Sequence, residues 1–389
     1  MLNRRTFLLS ATATALLPLL SSCSNAPPSL AVRLLKNSLP PQVLGEFRDS
    51  LPRRTPLDFQ AEELLQDIFR ELQKWQNQDK IQTNRNWWQL PNQKKTSLPQ
   101  LVTLGNYWLT QAIEENLIQP FDNLEKLSGW QNLDSRWHQL VKRNEQGLPD
   151  AQGKIWGAPY RWGTTLIAYR EDKLKSFDFV PQDWSDLWRK ELRDRVSLVD
   201  HPREVIGLTL KKLGHSYNTA NLGEVPNLQS ELLALHQQVK LYSSENYLQP
   251  LILGDTWVAV GWSADILALQ ARYSDIVAVI PNSGTSLWAD LWVQPKKASL
   301  ENSDNDPENL SYQWIDFCWQ LKAAIQISLF TRGASPYIIS SPRKALPEDI
   351  LGNPLLLPSE QILTQSEFIE PLPEASQQQY LDLWREIRS

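Results

Sequence analysis

The stretch Arg195-Val196-Ser197-Leu198-Val199-Asp200-His201-Pro202-Arg203-Glu204-Val205-Ile206-Gly207-Leu208-Thr209-Leu210-Lys211-Lys212-Leu213 decides the fold class. Arg195 to Asp200 is a short β-branched and apolar run, which predicts a strand. Ile206, Thr209, Leu210 and Leu213 then recur at helical spacing. Pro202 suits the first helical position, because its fixed φ matches the helix and its missing N–H would have no partner there. That makes His201 the N-cap and Glu204 the third helical residue. A strand passing straight into a helix is the unit of α/β folds, whose ligands collect at the carboxyl ends of the strands. Glu204 therefore has two readings. Either it caps orphan amides of its own helix, or it faces a ligand.

Working outward, short apolar strands alternate with amphipathic helices from Leu30 to about Pro295, the pattern of mostly parallel sheets flanked by helices. Ala31 to Leu35 reads as a first strand and Pro41 to Phe47 as a short helix. Ala61 to Trp75 reads as a helix, with Leu64, Leu65, Ile68, Leu72 and Trp75 on one face. The polar stretch from Gln76 to Ser97, interrupted by Trp87-Trp88, reads as a surface loop. Leu101 to Leu104 is a strand ending at Gly105, and a helix starts near Tyr107.

Ser286 to Gln294 alternates with a period of two, so Ser286, Trp288, Asp290 and Trp292 share one face and Leu287, Ala289, Leu291 and Val293 the other. The second set is core. The first is either a half-exposed aromatic sheet surface or a cation pocket, since indole faces attract ammonium groups and a carboxylate neutralises them.

The amino terminus carries Arg4 and Arg5 ahead of Phe7-Leu8-Leu9, then an apolar run, then Leu20-Ser21-Ser22-Cys23. That run of about 14 residues is short of the ~20 needed to span a bilayer, and it reads as a cleaved signal peptide covering residues 1–22. It resembles a bacterial lipoprotein signal with Cys23 as the lipidated residue, and the paired arginines also match a twin-arginine export signal. Residues 23–29 would be a lipidated linker. With Cys23 acylated, Cys318 has no internal disulfide partner. Stability falls to packing, to which 17 Trp contribute. A net charge of −5 with no Lys/Arg stripe excludes a nucleic-acid surface. What remains after the signal is more chain than one core organises, so two lobes are expected.

Enzyme signatures are missing. There is no HExxH, P-loop or GxSxG, and the histidines at 138, 201, 215 and 236 lack metal-ligand spacing. Ser303-Asp304-Asn305 and Ser341-Pro342-Arg343-Lys344 match elements of serine β-lactamases in reversed order, and we read them as chance. The sequence predicts no catalysis, no cofactor and no metal.

From Trp156 the text becomes specific: Trp156-Gly157-Ala158-Pro159-Tyr160, Trp162-Gly163-Thr164-Thr165, Asp183-Trp184-Ser185-Asp186-Leu187-Trp188, Arg203-Glu204-Val205, Lys212-Leu213-Gly214, Gly261-Trp262-Ser263 and Trp288-Ala289-Asp290. These segments resemble the periplasmic spermidine/putrescine-binding proteins of ABC importers, a branch of the type 2 solute-binding fold. The resemblance implies two α/β lobes joined by crossing strands, each a mostly parallel sheet flanked by helices, with ligand held in the cleft between them. Lobe 1 is expected to comprise residues 30–163 with 290–336, and lobe 2 residues 164–289 with 337–389. By the same resemblance Tyr107, Glu204, Trp262, Trp288 and Asp290 are ligand positions, three aromatics walling an alkyl-ammonium and two carboxylates pairing with amines.

The departures bear on the ligand. Leu35 and Ser38 stand where the family has an aromatic pair, and Ala334 where it has a tyrosine. His201 stands where it has an acid. An ordinary histidine is largely neutral at pH 7, and loss of one desolvated ion-pair partner costs about 2 to 5 kcal/mol. Protonation of His201 below about pH 6.5 would further oppose a cation. The sequence therefore predicts a monomeric, lipid-anchored periplasmic receptor that delivers a small organic cation to an ABC permease. The alternative is a receptor-like envelope lipoprotein that has lost transport and serves as an assembly or interaction partner.

Overall fold

A computed structural model describes residues 30–52, 55–83, 98–296 and 309–388. The signal segment, Cys23, Trp87, Trp88 and Ser303-Asp304-Asn305 lie outside the described residues.

The first lobe opens with three parallel strands, β1 (Leu30–Leu35), β2 (Leu57–Glu62) and β3 (Leu101–Gly105), in the spatial order β2-β1-β3. The short β4 (Ile118–Gln119) and an antiparallel pair, β5 (Lys142–Arg143) and β6 (Lys154–Ile155), follow. The next strand, β7 (Ala158–Arg170), runs for 13 residues and belongs to both lobes. In the second lobe, β8 (Val196–Leu198), β9 (Val239–Tyr242) and β10 (Val258–Trp262) are mutually parallel, while β11 (Ile276–Val279) runs antiparallel to β7. The chain returns through β12 (Ser286–Pro295), which lies antiparallel between β3 and β7, and β13 (Glu367–Phe368) pairs with its first residues.

The long strand β7 makes the joint. Residues 158–164 pair with β12, whereas Thr165 onward pairs with β10 and β11. Thr285 pins the crossing: its hydroxyl donates to the Thr165 carbonyl at 2.7 Å, its amide donates to Ser366 Oγ at 3.1 Å, and its carbonyl accepts from the Glu367 amide at 2.9 Å.

Each lobe has its own core. In the first, Trp292 stacks on Tyr160 with centroids 4.1 Å apart, and Phe47 and Phe59 meet Trp314 edge-on. The second lobe's sheet is covered on both faces. Ile167, Tyr169, Val258 and Val260 enter one cluster, and the alternating Leu166, Ala168 and Ala259 enter another. That is the burial expected of a sheet with helices on either side.

Three expectations change. Leu57 to Glu62 is an edge strand, and the helix begins only at Leu65. That helix runs to Thr83, into the stretch read as a loop. Ile338, Leu346, Ile350, Leu356 and Leu363 pack in the first core, so the chain passes to the second lobe near β13 rather than at residue 337. Leu372, Tyr380 and Trp384 do join the second core.

Candidate functional site

The second lobe supplies Glu204. The helix Pro202–Lys212 starts as its sequence dictates: His201 is the N-cap in extended conformation, Pro202 follows, and His201 Nδ1 accepts the Glu204 amide at 3.3 Å. The Glu204 side chain does not cap. It leaves its helix to accept Ser286 Oγ at 2.6 Å and Thr165 Oγ1 at 3.3 Å. It is 5% exposed, and it forms no ion pair among the described residues. Burial raises its pKa above the ordinary glutamate range, against the hydrogen bonds from Ser286 and Thr165, the neighbouring Arg203 charge and the Trp262 side chain. Arg203 itself is turned away, donating to the carbonyls of Glu370 and Tyr217 and to Asn218 Oδ1.

Beside Glu204, β10 ends at the half-buried Trp262, whose amide donates to Tyr247 Oη at 3.2 Å. Tyr247 Oη donates in turn to Asp265 Oδ2 at 2.9 Å. The Tyr247 and Trp262 rings meet edge to face, with centroids 6.0 Å apart. Gly261 has no side chain because a Cβ there would lie 1.9 Å from the Tyr247 ring. Asp265, in the first turn of the helix that follows, is solvent-accessible. Its pKa is nonetheless raised by desolvation, so the surrounding chain encloses it without sealing it.

The first lobe supplies the face of β12. Ser286 reaches Glu204. Two residues on, Trp288 is half-buried over Gly163, where a Cβ would meet Trp288 Cζ2 at 2.5 Å, and its indole donates to the Thr164 carbonyl. Asp290 is 3% exposed and pairs with Arg161, Nη1 to Oδ2 at 2.8 Å. Trp292 is fully buried in the first core. The expected cation pocket between two indoles is therefore bounded by Trp288 alone. Ser286 and Asp290, four residues apart, put the Glu204 and Asp290 ends of the row about 13 Å apart along the strand.

Arg161 stands directly opposite Asp290 in the regular antiparallel register, and a β-bulge adjoins the pair. Asp290 opposes Arg161 and Leu291 opposes Pro159, which leaves Tyr160 as the extra residue. The bulge lets consecutive residues face one side: Tyr160 stacks on Trp292 while Arg161 meets Asp290.

Tyr107, after β3, is 50% exposed and projects to the opposite lobe, its ring edge-on to His201 with centroids 4.8 Å apart. Desolvation lowers the His201 pKa to about 4, helped by the Arg203 charge and opposed by Asp200. The expected switch near pH 6.5 moves below the range where binding is ordinarily measured. Glu204, Trp262, Tyr107 and His201 thus gather on the two sides of one cleft, with Trp288 and Asp290 on the strand behind it. Arg161, Asp265, Tyr247, Thr165 and Ser286 were not singled out from sequence. Among the described residues no group of three or more His, Cys, Asp or Glu is placed to hold a metal ion, and no helix is long and apolar enough to cross a membrane. A separate recess of about 550 Å3 lies between Leu267, Gln270 and residues 348–355, and no site residue lines it.

Known proteins share both sequence and fold. The chain is 27% identical over 277 residues to the spermidine/putrescine-binding periplasmic protein 1 of Haemophilus influenzae, covering 71% of each chain. It is 26% identical over 292 residues to a putrescine/cadaverine-binding protein of Pseudomonas aeruginosa, covering 72% of this chain and 78% of that one. Its fold superposes with a TM-score of 0.74 on the spermidine/putrescine ABC transporter substrate-binding protein PotD of Streptococcus pneumoniae, at 20% identity, over 92% of this chain and 98% of that one. UgpB of Mycobacterium tuberculosis, solved with glycerophosphocholine, superposes at 0.67 with 14% identity, over 92% and 96% of the two chains. Residues 96–365 match the model of a family described as bacterial extracellular solute-binding protein, and the chain belongs to that family.

Proposed function

We propose that this protein is the extracytoplasmic receptor of an ABC importer, anchored to the membrane by lipid at Cys23, and that it binds a small organic cation between its lobes. The observation that carries this reading is Glu204. It is a carboxylate removed from water, held by the Ser286 and Thr165 hydroxyls and the Trp262 side chain with no ion pair among the described residues, in the cleft that Tyr107 faces from the other lobe. A buried carboxylate without a counter-charge is costly, and a ligand ammonium entering beside an indole supplies that charge together with a cation–π contact. The spermidine/putrescine- and putrescine/cadaverine-binding relatives, 26–27% identical over 71–72% of this chain, support the same ligand class. Bond chemistry has no place in this reading. The cleft binds and releases, and lobe motion about β7 and β12 presents the cargo to a permease.

A thermal-shift screen over amines, amino acids, sugars and anions tests it, because a ligand that binds only the folded state stabilises by RT ln(1 + [L]/Kd). Stabilisation by small amines alone is the expected result. A protein that responds to no ligand is the receptor-like scaffold instead.

A further inference from the structure

The carboxylate in the cleft, Glu204, and the one on the strand behind it, Asp290, are not equivalent. Glu204 has no cationic partner among the described residues, whereas Asp290 already has one. The Arg161 guanidinium contacts Asp290 at 2.8 Å and lies with its central carbon 5.2 Å from the Trp288 ring centroid. Those are the two contacts that an ammonium group would make in a carboxylate-plus-indole pocket. The guanidinium is also fixed from behind: Nε donates to Thr331 Oγ1 at 3.2 Å and Nη2 to the Thr331 carbonyl at 3.1 Å. Gly333 leaves it room, since a Cβ there would lie 2.5 Å from Arg161 Nε. Both charged side chains are under one-tenth exposed.

We propose that Arg161 is a specificity-determining residue: it stands permanently in the cation position formed by Asp290 and Trp288, so the cleft accepts a ligand with one cationic group, held at Glu204. This rests on the reading of the cleft as a cation site. A diamine entering the wild-type cleft finds its second position occupied and its second charge facing a fixed guanidinium. Asp265 feels the same Arg161 charge, so the positive field extends into the open part of the cleft. Replacing Arg161 by an uncharged side chain of similar length frees Asp290 for a second ammonium.

The test compares putrescine with butylamine, its single-amine analogue, by titration calorimetry at pH 7.5 on the purified protein, on Arg161→Met and on Arg161→Met/Asp290→Asn. The wild type is expected to favour butylamine, or to favour putrescine by less than tenfold. Arg161→Met should tighten putrescine at least tenfold more than it tightens butylamine, and the double variant, which carries neither member of the pair, should lose that gain. If the wild type prefers putrescine by tenfold or more, the inference is overturned, and this arm decides even where Arg161→Met does not fold. An Arg161→Met protein that folds and shows no gain overturns it too. Absence of binding of either amine to all three proteins overturns the cation-receptor reading itself.

Discussion

The Tyr107 ring of the first lobe meets the His201 imidazole of the second edge-on, 4.8 Å between centroids. This cross-cleft contact brings a residue that also caps a helix against the opposite lobe, and it keeps His201 dry enough to lower its pKa to about 4. The native state thus disfavours the imidazolium, and the unfolded chain takes up the proton first. His201's contribution to stability is complete above about pH 6.5 and is lost as pH falls from there to about 4. His201→Gln should flatten the acid side of a plot of Tm against pH over that interval. Ligand affinity, measured by calorimetry from pH 5.5 to 8, should show no inflection that the substitution removes.

Glu204→Gln separates binding from stability. The carboxylate is raised in pKa by burial, so its ionised form weighs against the fold increasingly as pH rises above the ordinary carboxylate range. Glutamine keeps the shape without that charge: its carbonyl oxygen accepts one of the two hydroxyls, and its NH2 donates to the oxygen of the other. The variant should melt higher than the wild type at pH 7.5 and lose affinity for the cationic ligand by at least tenfold, the usual trade at a site that stores an unpaired group. A lower Tm with unchanged affinity would make Glu204 structural.

Cys23→Ala should release the protein from membranes into the soluble fraction after a high-salt wash, because acyl chains supply the anchoring free energy in this reading. Equal retention of the variant would remove the lipoprotein assignment and leave the cleft untouched.

What the sequence disclosed was local chemistry. Pro202 behind His201 marks a helix start through φ and a missing N–H, and both landed where expected. The alternation of Ser286 to Asp290 likewise placed three side chains on one face. What it hid was non-local. Arg161 meets Asp290 because β7 and β12 pair in a register that sets the two opposite each other, and no pattern within either segment reports the pairing of the two. Leu57 to Glu62 escaped notice because an edge strand with half-exposed apolar residues gives a weak alternation. The apolar residues of 338–363 carry no mark of which core they enter. Glu204 was ambiguous until its side chain was seen to leave the helix for Ser286.

Asp290→Asn is the substitution whose outcome differs most between the sequence pattern and the structure. On the pattern alone Asp290 awaits a ligand, and removing its charge costs affinity while leaving the unliganded fold intact. In the structure it neutralises a guanidinium that is under one-tenth exposed and otherwise meets Thr331 and the Trp288 ring. Deleting one member of a buried pair leaves the other uncompensated, at about 3–5 kcal/mol. Asp290→Asn should therefore lower unfolding stability by about that amount, read by denaturant titration without ligand. Arg161→Met/Asp290→Asn should recover most of the loss, since uncharged residues of similar volume replace a buried pair at little cost. The coupling energy from the full cycle should exceed 1 kcal/mol, roughly the ceiling for solvent-exposed pairs. A single variant as stable as the wild type would mean that the Arg161–Asp290 contact does not persist in solution and that Asp290 is free for ligand.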